Sequence, residues 1–425
     1  MRQIVLFPKP VYIAMTVILE VAHSYGKAPE LPWEADPEVV ASLMSRFSGA
    51  NFDESRVHEY VLPNPLSSSQ GEQVQTAAVW YTQRRGELLE SFREHVYGRR
   101  PDVPYQVDFK VLSEQGNLFN GLAVGRTVRA IITCSQRSFS FDFAVVLPAT
   151  RSGAVPAVVF INNRGPLLID DMSPADNQFW PASLLIRRGY ATASFRTIDV
   201  DPDRSDGYAE GIRGFFADGK TPSDNAWGSL SAWGWGASRV LDYLAICPEV
   251  DSDFVAIAGH SRGGKSALWA ACEDTRFAIA YSNDSGCGGA ALSRRAYGET
   301  VDAITRRFPH WFCRNFARYA GRDSSLPVDQ HEVIALIAPR CVYVASADED
   351  LWADPRGEYL ALFAAAPVFD LLGKKGISDA TMPCIGIQRI VGQTGYHIRR
   401  GGHGLNEFDW QRFSDFVDHC RTSDD

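Results

Sequence analysis

An α/β fold, with a mostly parallel central sheet, antiparallel strands towards the N-terminus and helices on both faces, follows from three observations. Apolar runs at 155–161, 191–195, 254–258, 277–282 and 341–346 are continuous rather than alternating, as in strands buried on both faces. Helical stretches lie between them, for example at 229–245 and 333–337, and buried strands alternating with helices make a covered parallel sheet. Upstream, residues 105–112, 127–134 and 138–147 also read as strands. There Phe139, Phe141 and Phe143 alternate, the pattern of antiparallel pairing at a sheet edge.

In chain order, Arg2 and Lys9 precede an apolar stretch at 11–22, and Ala22-His23-Ser24 resembles a small-x-small cleavage site. Residues 1–24 are therefore expected to be a signal peptide, although Glu20 interrupts the apolar run. Residues 25–75 carry prolines, serines and weak periodicity and read as an extended N-terminal arm, with Pro63-Asn64-Pro65 and Ser67-Ser68-Ser69 as loop. Residues 76–97 read as a helix: Trp80, Leu88, Phe92 and Val96 recur at helical spacing and Gly98 is a stop signal. No internal repeat is present, and 76–425 reads as one domain.

Composition narrows the partners. A chain of 425 residues, 45% hydrophobic and 12% aromatic, can bury a large core. The net charge of −9 argues against a nucleic-acid partner. No apolar run is long enough to span a bilayer, so no membrane partner is expected either. The eight cysteines, at 134, 247, 272, 287, 313, 341, 384 and 420, show no metal-binding spacing. Most read as buried small apolar residues, with one or two disulfides open to an exported chain.

Chemistry enters at 257–264, IAGHSRGG. An apolar run stops at Gly259 and a helical run follows from 265 to 272, so Ser261 sits at the apex of G-x-S-x-G between strand and helix. That turn lifts a serine hydroxyl above the sheet, as in α/β-type serine hydrolases. In such sheets chemistry gathers at the C-terminal strand ends. The strand at 277–282 ends at Asn283-Asp284, and that at 341–347 at Asp348-Glu349-Asp350, which brings Asp284 and Asp350 to the serine's rim. A histidine is needed downstream to take the serine proton, held by one carboxylate that fixes its tautomer. Five of nine histidines lie beyond Asp284. His310 and His331 suit structural hydrogen bonds, His419 lies on a C-terminal helix, and His397 alternates with apolar residues and suits packing. His403, flanked by glycines, is the better base, because they make an exposed loop that can carry its ring to the serine.

Longer segments then carry a resemblance. GHSRGGKSA at 259–267, SNDSGCGGAALSRR at 282–295, GETV at 298–301, FPHWF at 308–312, LPVDQH at 326–331, LIAPR at 336–340, ASADEDLWADP at 345–355 and GYHIRRGGH at 395–403 resemble the glucuronoyl esterases, carbohydrate esterase family fifteen. The likeness covers about 76–420 and is nearer to the bacterial branch. It implies an α/β-hydrolase that cleaves the ester between a (4-O-methyl-)glucuronic acid group of glucuronoxylan and a lignin alcohol. By that likeness Ser261 is the nucleophile and His403 the base. Arg262 helps hold the oxyanion, an ion pair at the sheet rim being its competing role. The family places the triad acid at either of two strand ends, here Asp284 or Asp350. Asp350 is favoured, and Asp284 could instead cap Ser285-Gly286.

Lys265, one helical turn beyond Ser261, and Glu299 match positions that bind the sugar, and Trp352 matches the one that lies against the pyranose ring. Trp180 and Trp311 read as core. The resemblance implies no metal or organic cofactor, and the acidic cluster Asp199, Asp201, Asp203 reads as a solvated loop. A monomer is expected. An acetyl xylan esterase or other carbohydrate deacetylase on the same fold is the alternative reading. A non-catalytic carbohydrate-binding protein with this fold is the third.

Overall fold

In a computed structural model that describes residues 32–164 and 178–422, ten strands form one sheet. They are β1 (Gln106–Asn117), β2 (Ala123–Cys134), β3 (Arg137–Pro148), β4 (Val155–Asn162), β5 (Ala191–Arg196), β6 (Val250–His260), β7 (Phe277–Asn283), β8 (Cys341–Ala347), β9 (Gln388–Val391) and β10 (Thr394–Arg399). Their order across the sheet is β1-β2-β3-β5-β4-β6-β7-β8-β10-β9. The first three strands pair antiparallel, as the alternating phenylalanines predict, and β3 meets β5 antiparallel. From β5 to β10 all pairs are parallel, and β9 closes the far edge antiparallel to β10.

The burial of each strand explains its sequence. β2 alternates buried and half-buried residues. Every residue of β8 and all but the first of β4 are buried, which is why those runs read as continuously apolar. β2 and β3 are joined by a two-residue turn between paired Cys134 and Arg137, with Ser135 at φ 57°, a left-handed position typical of tight hairpins.

Helices cover both faces. One layer packs the helices Ser229–Leu244, Arg262–Glu273, Gln330–Ile337 and Pro355–Leu371 over the sheet. The other is closed by Glu407–Thr422, whose Trp410, Phe413 and Phe416 meet Phe160, Tyr281 and Tyr343. Every residue of Ser229–Leu244 except Asp242 is buried.

The stretch read as an extended arm contains a helix, Pro37–Arg46. Asp36 caps it, accepting from the Glu38 amide at 2.8 Å, and Pro37 occupies its first turn, both standard start signals, and Val39, Val40, Leu43 and Met44 form its half-buried face. Phe47 and Phe52 beyond it pack against Trp352, with ring centroids 4.9 and 6.1 Å apart. All eight cysteines are free thiols, six of them buried, so the disulfides left open for an exported chain are not formed. The expected signal peptide at 1–24 lies outside the described residues.

Candidate active site

β4 has β5 on one side and β6 on the other, so the chain direction across the sheet reverses there. The crevice beyond the C-terminal strand ends at such a switch point is where α/β sheets hold ligands. Ser261 lies on that rim, directly after β6. Gly259 lets the following helix return close to the strand: a Cβ there would stand 2.1 Å from the Gly263 carbonyl oxygen. Ser261 has φ 56° and ψ −123°, a conformation that costs a non-glycine residue about 1–3 kcal/mol and persists where surroundings impose it. Here the Ser261 amide donates to the Asn283 carbonyl at 2.8 Å, and the Lys265 amide donates to the Ser261 carbonyl at 3.1 Å. Ser261 occupies the cap position of the helix Arg262–Glu273 without a side-chain capping bond. Its hydroxyl is therefore available, and the helix's first amides face the same crevice.

Ser261 Oγ lies 3.0 Å from His403 Nε2, and His403 Nδ1 lies 2.6 Å from Asp350 Oδ2. His403 rides on the loop after β10. The Arg399 guanidinium holds that loop from below, donating to the carbonyls of Arg400 at 3.0 Å, Gly402 at 3.3 Å and Gly404 at 2.5 Å. Arg399 is in turn held by buried Asp409, whose Oδ2 accepts from its Nε at 2.8 Å. The Gly401 amide donates to Asp348 at 2.7 Å. The loop that glycines make permissive is thus pinned at several points.

Asp284 comes to the same place. A ligand atom from each of Asp284, Asp350 and His403 lies within 4.8 Å of the other two. Asp284 Oδ2 accepts from the Gly404 amide at 3.2 Å and from Arg399 Nη2 at 3.3 Å, and Oδ1 is buried without a partner among the described residues. Burial, then the neighbouring Asp350 charge, push its carboxyl well above the usual range despite Arg399. The capping role considered for Asp284 belongs to Glu358 instead. Glu358 Oε1 accepts from the amides of Ser285 at 2.8 Å and Gly286 at 2.9 Å.

The guanidinium of Arg262 pairs with Asp203 and stands over the rings of Trp311, 4.7 Å from its centroid, and Phe308, 5.5 Å away. Lys265 is buried. Its Nζ donates to the carbonyls of Ser285 and Cys287, both at 2.5 Å, and lies 3.5 Å from Glu299 Oε2. Glu299 is tied to Trp352 through its amide, which donates to the Trp352 carbonyl at 2.9 Å. Gly298, at φ 60°, allows that approach, since a Cβ would stand 2.5 Å from the Leu351 carbonyl oxygen. Lys265, Glu299 and half-buried Trp352 thus form one cluster beside the serine.

Of the other histidines, His397 is buried between Tyr343 and Asp409, and His331 lies 2.9 Å from the Pro63 carbonyl. Trp180 is core. Trp311 is core too, but its Nε1 donates to Asp203 at 2.7 Å. The cluster at 199–203 is not a solvated loop: Asp201 is fully buried, accepting from Arg213 Nε at 2.8 Å and Ser229 Oγ at 2.7 Å.

His260 carries no chemical signal in the sequence, yet its ring lies 4.5 Å from that of His403. Its Nδ1 is 2.6 Å from Asn283 Oδ1, so Nδ1 carries the proton and Nε2 accepts from Arg164 at 3.1 Å. Burial, then the His403 charge, hold it neutral, well below the usual histidine range. Only its place beside the serine in GHS could have drawn notice.

A ten-stranded α/β sheet with a serine on a strained strand-to-helix turn, and an imidazole within hydrogen-bond reach of it, defines an α/β-hydrolase. A family model described as glucuronyl esterase of fungi matches residues 131–373. Carbohydrate esterase MZ0003 from an unknown prokaryotic organism is 36% identical over 92% of this chain and 95% of its own length. The 4-O-methyl-glucuronoyl methylesterase of Schizophyllum commune is 29% identical over 73% of this chain and 74% of its own. The solved structure of a glucuronoyl esterase from Solibacter usitatus superposes with a TM-score of 0.79 at 36% identity, covering 86% of this chain and 99% of that one. The chain belongs to the glucuronoyl esterases, carbohydrate esterase family 15, and is a carboxylic ester hydrolase.

Proposed function

We propose that the enzyme hydrolyses the ester between (4-O-methyl-)glucuronic acid side groups of glucuronoxylan and lignin alcohols, through an acyl-enzyme on Ser261. The observation that carries the reading is the hydrogen-bonded chain Ser261–His403–Asp350 beside the Lys265, Glu299 and Trp352 cluster. Ser261 Oγ attacks the ester carbonyl carbon while His403 Nε2 takes its proton, and Asp350 steadies the resulting imidazolium. Arg262 and the amides opening its helix meet the oxyanion. Collapse breaks the bond to the alcohol oxygen, which leaves with the proton from His403. Water then attacks the acyl carbon by the same route and frees the uronic acid and the serine. Asp284 holds the His403 loop through the Gly404 amide.

Lys265 gives two of its three N–H donors to backbone carbonyls and the third to Glu299 over a long 3.5 Å contact, which a sugar hydroxyl would exchange for its own. Glu299 accepts from another, and Trp352 offers a ring face to the pyranose. Lys265→Ala with Glu299→Ala is expected to lower kcat/KM for benzyl glucuronate by about 10²-fold while a simple acetate ester changes little, since buried polar contacts set such preferences. Equal losses on both esters would sink the sugar assignment. Cleavage of acetylated xylan with glucuronate esters left intact would make the enzyme a deacetylase instead.

The enzyme is read as an exported monomer. Its net charge of −9 is unsuited to nucleic acid, and no helix among the described residues is long and apolar enough to cross a membrane.

A further inference from the structure

Oxyanion stabilisation depends on donors fixed before the charge develops. An arginine on the protein rim carries about 2 kcal/mol of rotamer entropy, so a loose one supplies little of that. Resting on the reading of Arg262 as the oxyanion cation, we propose that Asp203 is the positioning residue that makes Arg262 a fixed donor.

The geometry is a cage. One carboxylate oxygen of Asp203 takes the Arg262 guanidinium. The other accepts from Trp311 Nε1 at 2.7 Å and lies 2.9 Å from His310 Nε2. The rings of Phe308 and Trp311 stack 3.7 Å apart and within 3° of parallel, and the guanidinium stands against both. Asp203 therefore joins the cation and its aromatic wall in a single bonded unit.

That unit is anchored in the core. Two residues before Asp203, buried Asp201 bonds Arg213 and Ser229, and its carbonyl accepts from Trp233 Nε1 at 2.8 Å. On the other side, the amides of Ser229 and Leu230 donate to the carbonyls of His310 at 2.8 Å and Trp311 at 3.2 Å. Both loops of the cage are thus tied to the first turn of the helix Ser229–Leu244. Burial would push the Asp203 carboxyl up, but hydrogen bonds from His310 and Trp311 and the Arg262 charge hold it at about 2. It is an anion across the working range.

A double-mutant cycle on benzyl glucuronate tests this, with thermal melting as the check on folding. Arg262→Ala is expected to lower kcat by about 10²-fold, with KM changed less than about threefold, as for the loss of an oxyanion donor. Asp203→Ala should lower kcat by about 10–100-fold with the same small change in KM, yet cost under about threefold when added to Arg262→Ala, because the two act as one unit. Asp203→Asn, which keeps an acceptor oxygen, should recover part of the loss, and it carries the same cycle if Asp203→Ala does not fold. If Arg262→Ala lowers kcat but the Asp203 variants do not, or lower it equally in both backgrounds, the positioning role is wrong and the oxyanion reading stands. If Arg262→Ala leaves kcat unchanged, the oxyanion reading itself falls.

Discussion

Ser261→Ala is expected to lower kcat on benzyl glucuronate by about 10⁴–10⁶-fold, the scale of losing a triad nucleophile. The protein should remain folded. Alanine removes only an oxygen whose partner is the half-exposed His403 ring, and the backbone bonds that impose φ 56° do not involve the side chain. A fluorophosphonate probe should label the native enzyme and leave the variant unlabelled. Substantial turnover in the alanine variant would show that the acyl-enzyme forms elsewhere or not at all. An unlabelled native serine would revive the non-catalytic reading of the fold.

The second large effect separates the two carboxylates. Asp350→Asn is expected to lower kcat by about 10³–10⁴-fold, because an amide neither favours the productive His403 tautomer nor stabilises the imidazolium. Asp284→Asn should cost less than about tenfold, since an amide is the neutral counterpart of a carboxyl that burial and a like charge already disfavour ionising. The contrast is sharp because the residues are close: each presents an oxygen to the same small space around the His403 ring, but only Asp350 meets Nδ1, at 2.6 Å. Rates measured on variants of matched thermal stability decide it. The reverse ranking would transfer the acid role to Asp284.

The sheet is largely legible in the sequence. The runs at 155–161, 254–258 and 341–346 are continuous because both faces of β4, β6 and β8 are covered, and the phenylalanines of 139–143 alternate because β3 lies in the antiparallel part. Short β9, with every residue half-buried, has neither pattern. The helix Pro355–Leu371 contains Pro367, which reads as a breaker. Pro37–Arg46 has its start signals and a short half-buried face of Val39, Val40, Leu43 and Met44, but its roughly two to three turns lie in a stretch whose prolines and serines read as loop.

At the site, local pattern went as far as local geometry does. G-x-S-x-G between strand and helix marks a nucleophile because the turn itself is encoded by neighbours in the chain. A glycine-flanked histidine and two strand-end acids could be named, but not their distances, which depend on a loop pinned by Arg399 and Asp409. The same holds for Asp203, which reads as a loop acid, and for Glu358, which carries no signal in the sequence. The Arg262 and Trp311 groups that Asp203 holds and the Ser285 and Gly286 amides that Glu358 caps lie 59 to 108 residues away in the chain, and only packing brings them together. What the sequence determined alone was the sheet, the turn that raises Ser261 and the residue types able to serve it. The tertiary structure decided which carboxylate meets His403 and what holds Arg262, because those contacts arise where distant loops converge on one rim.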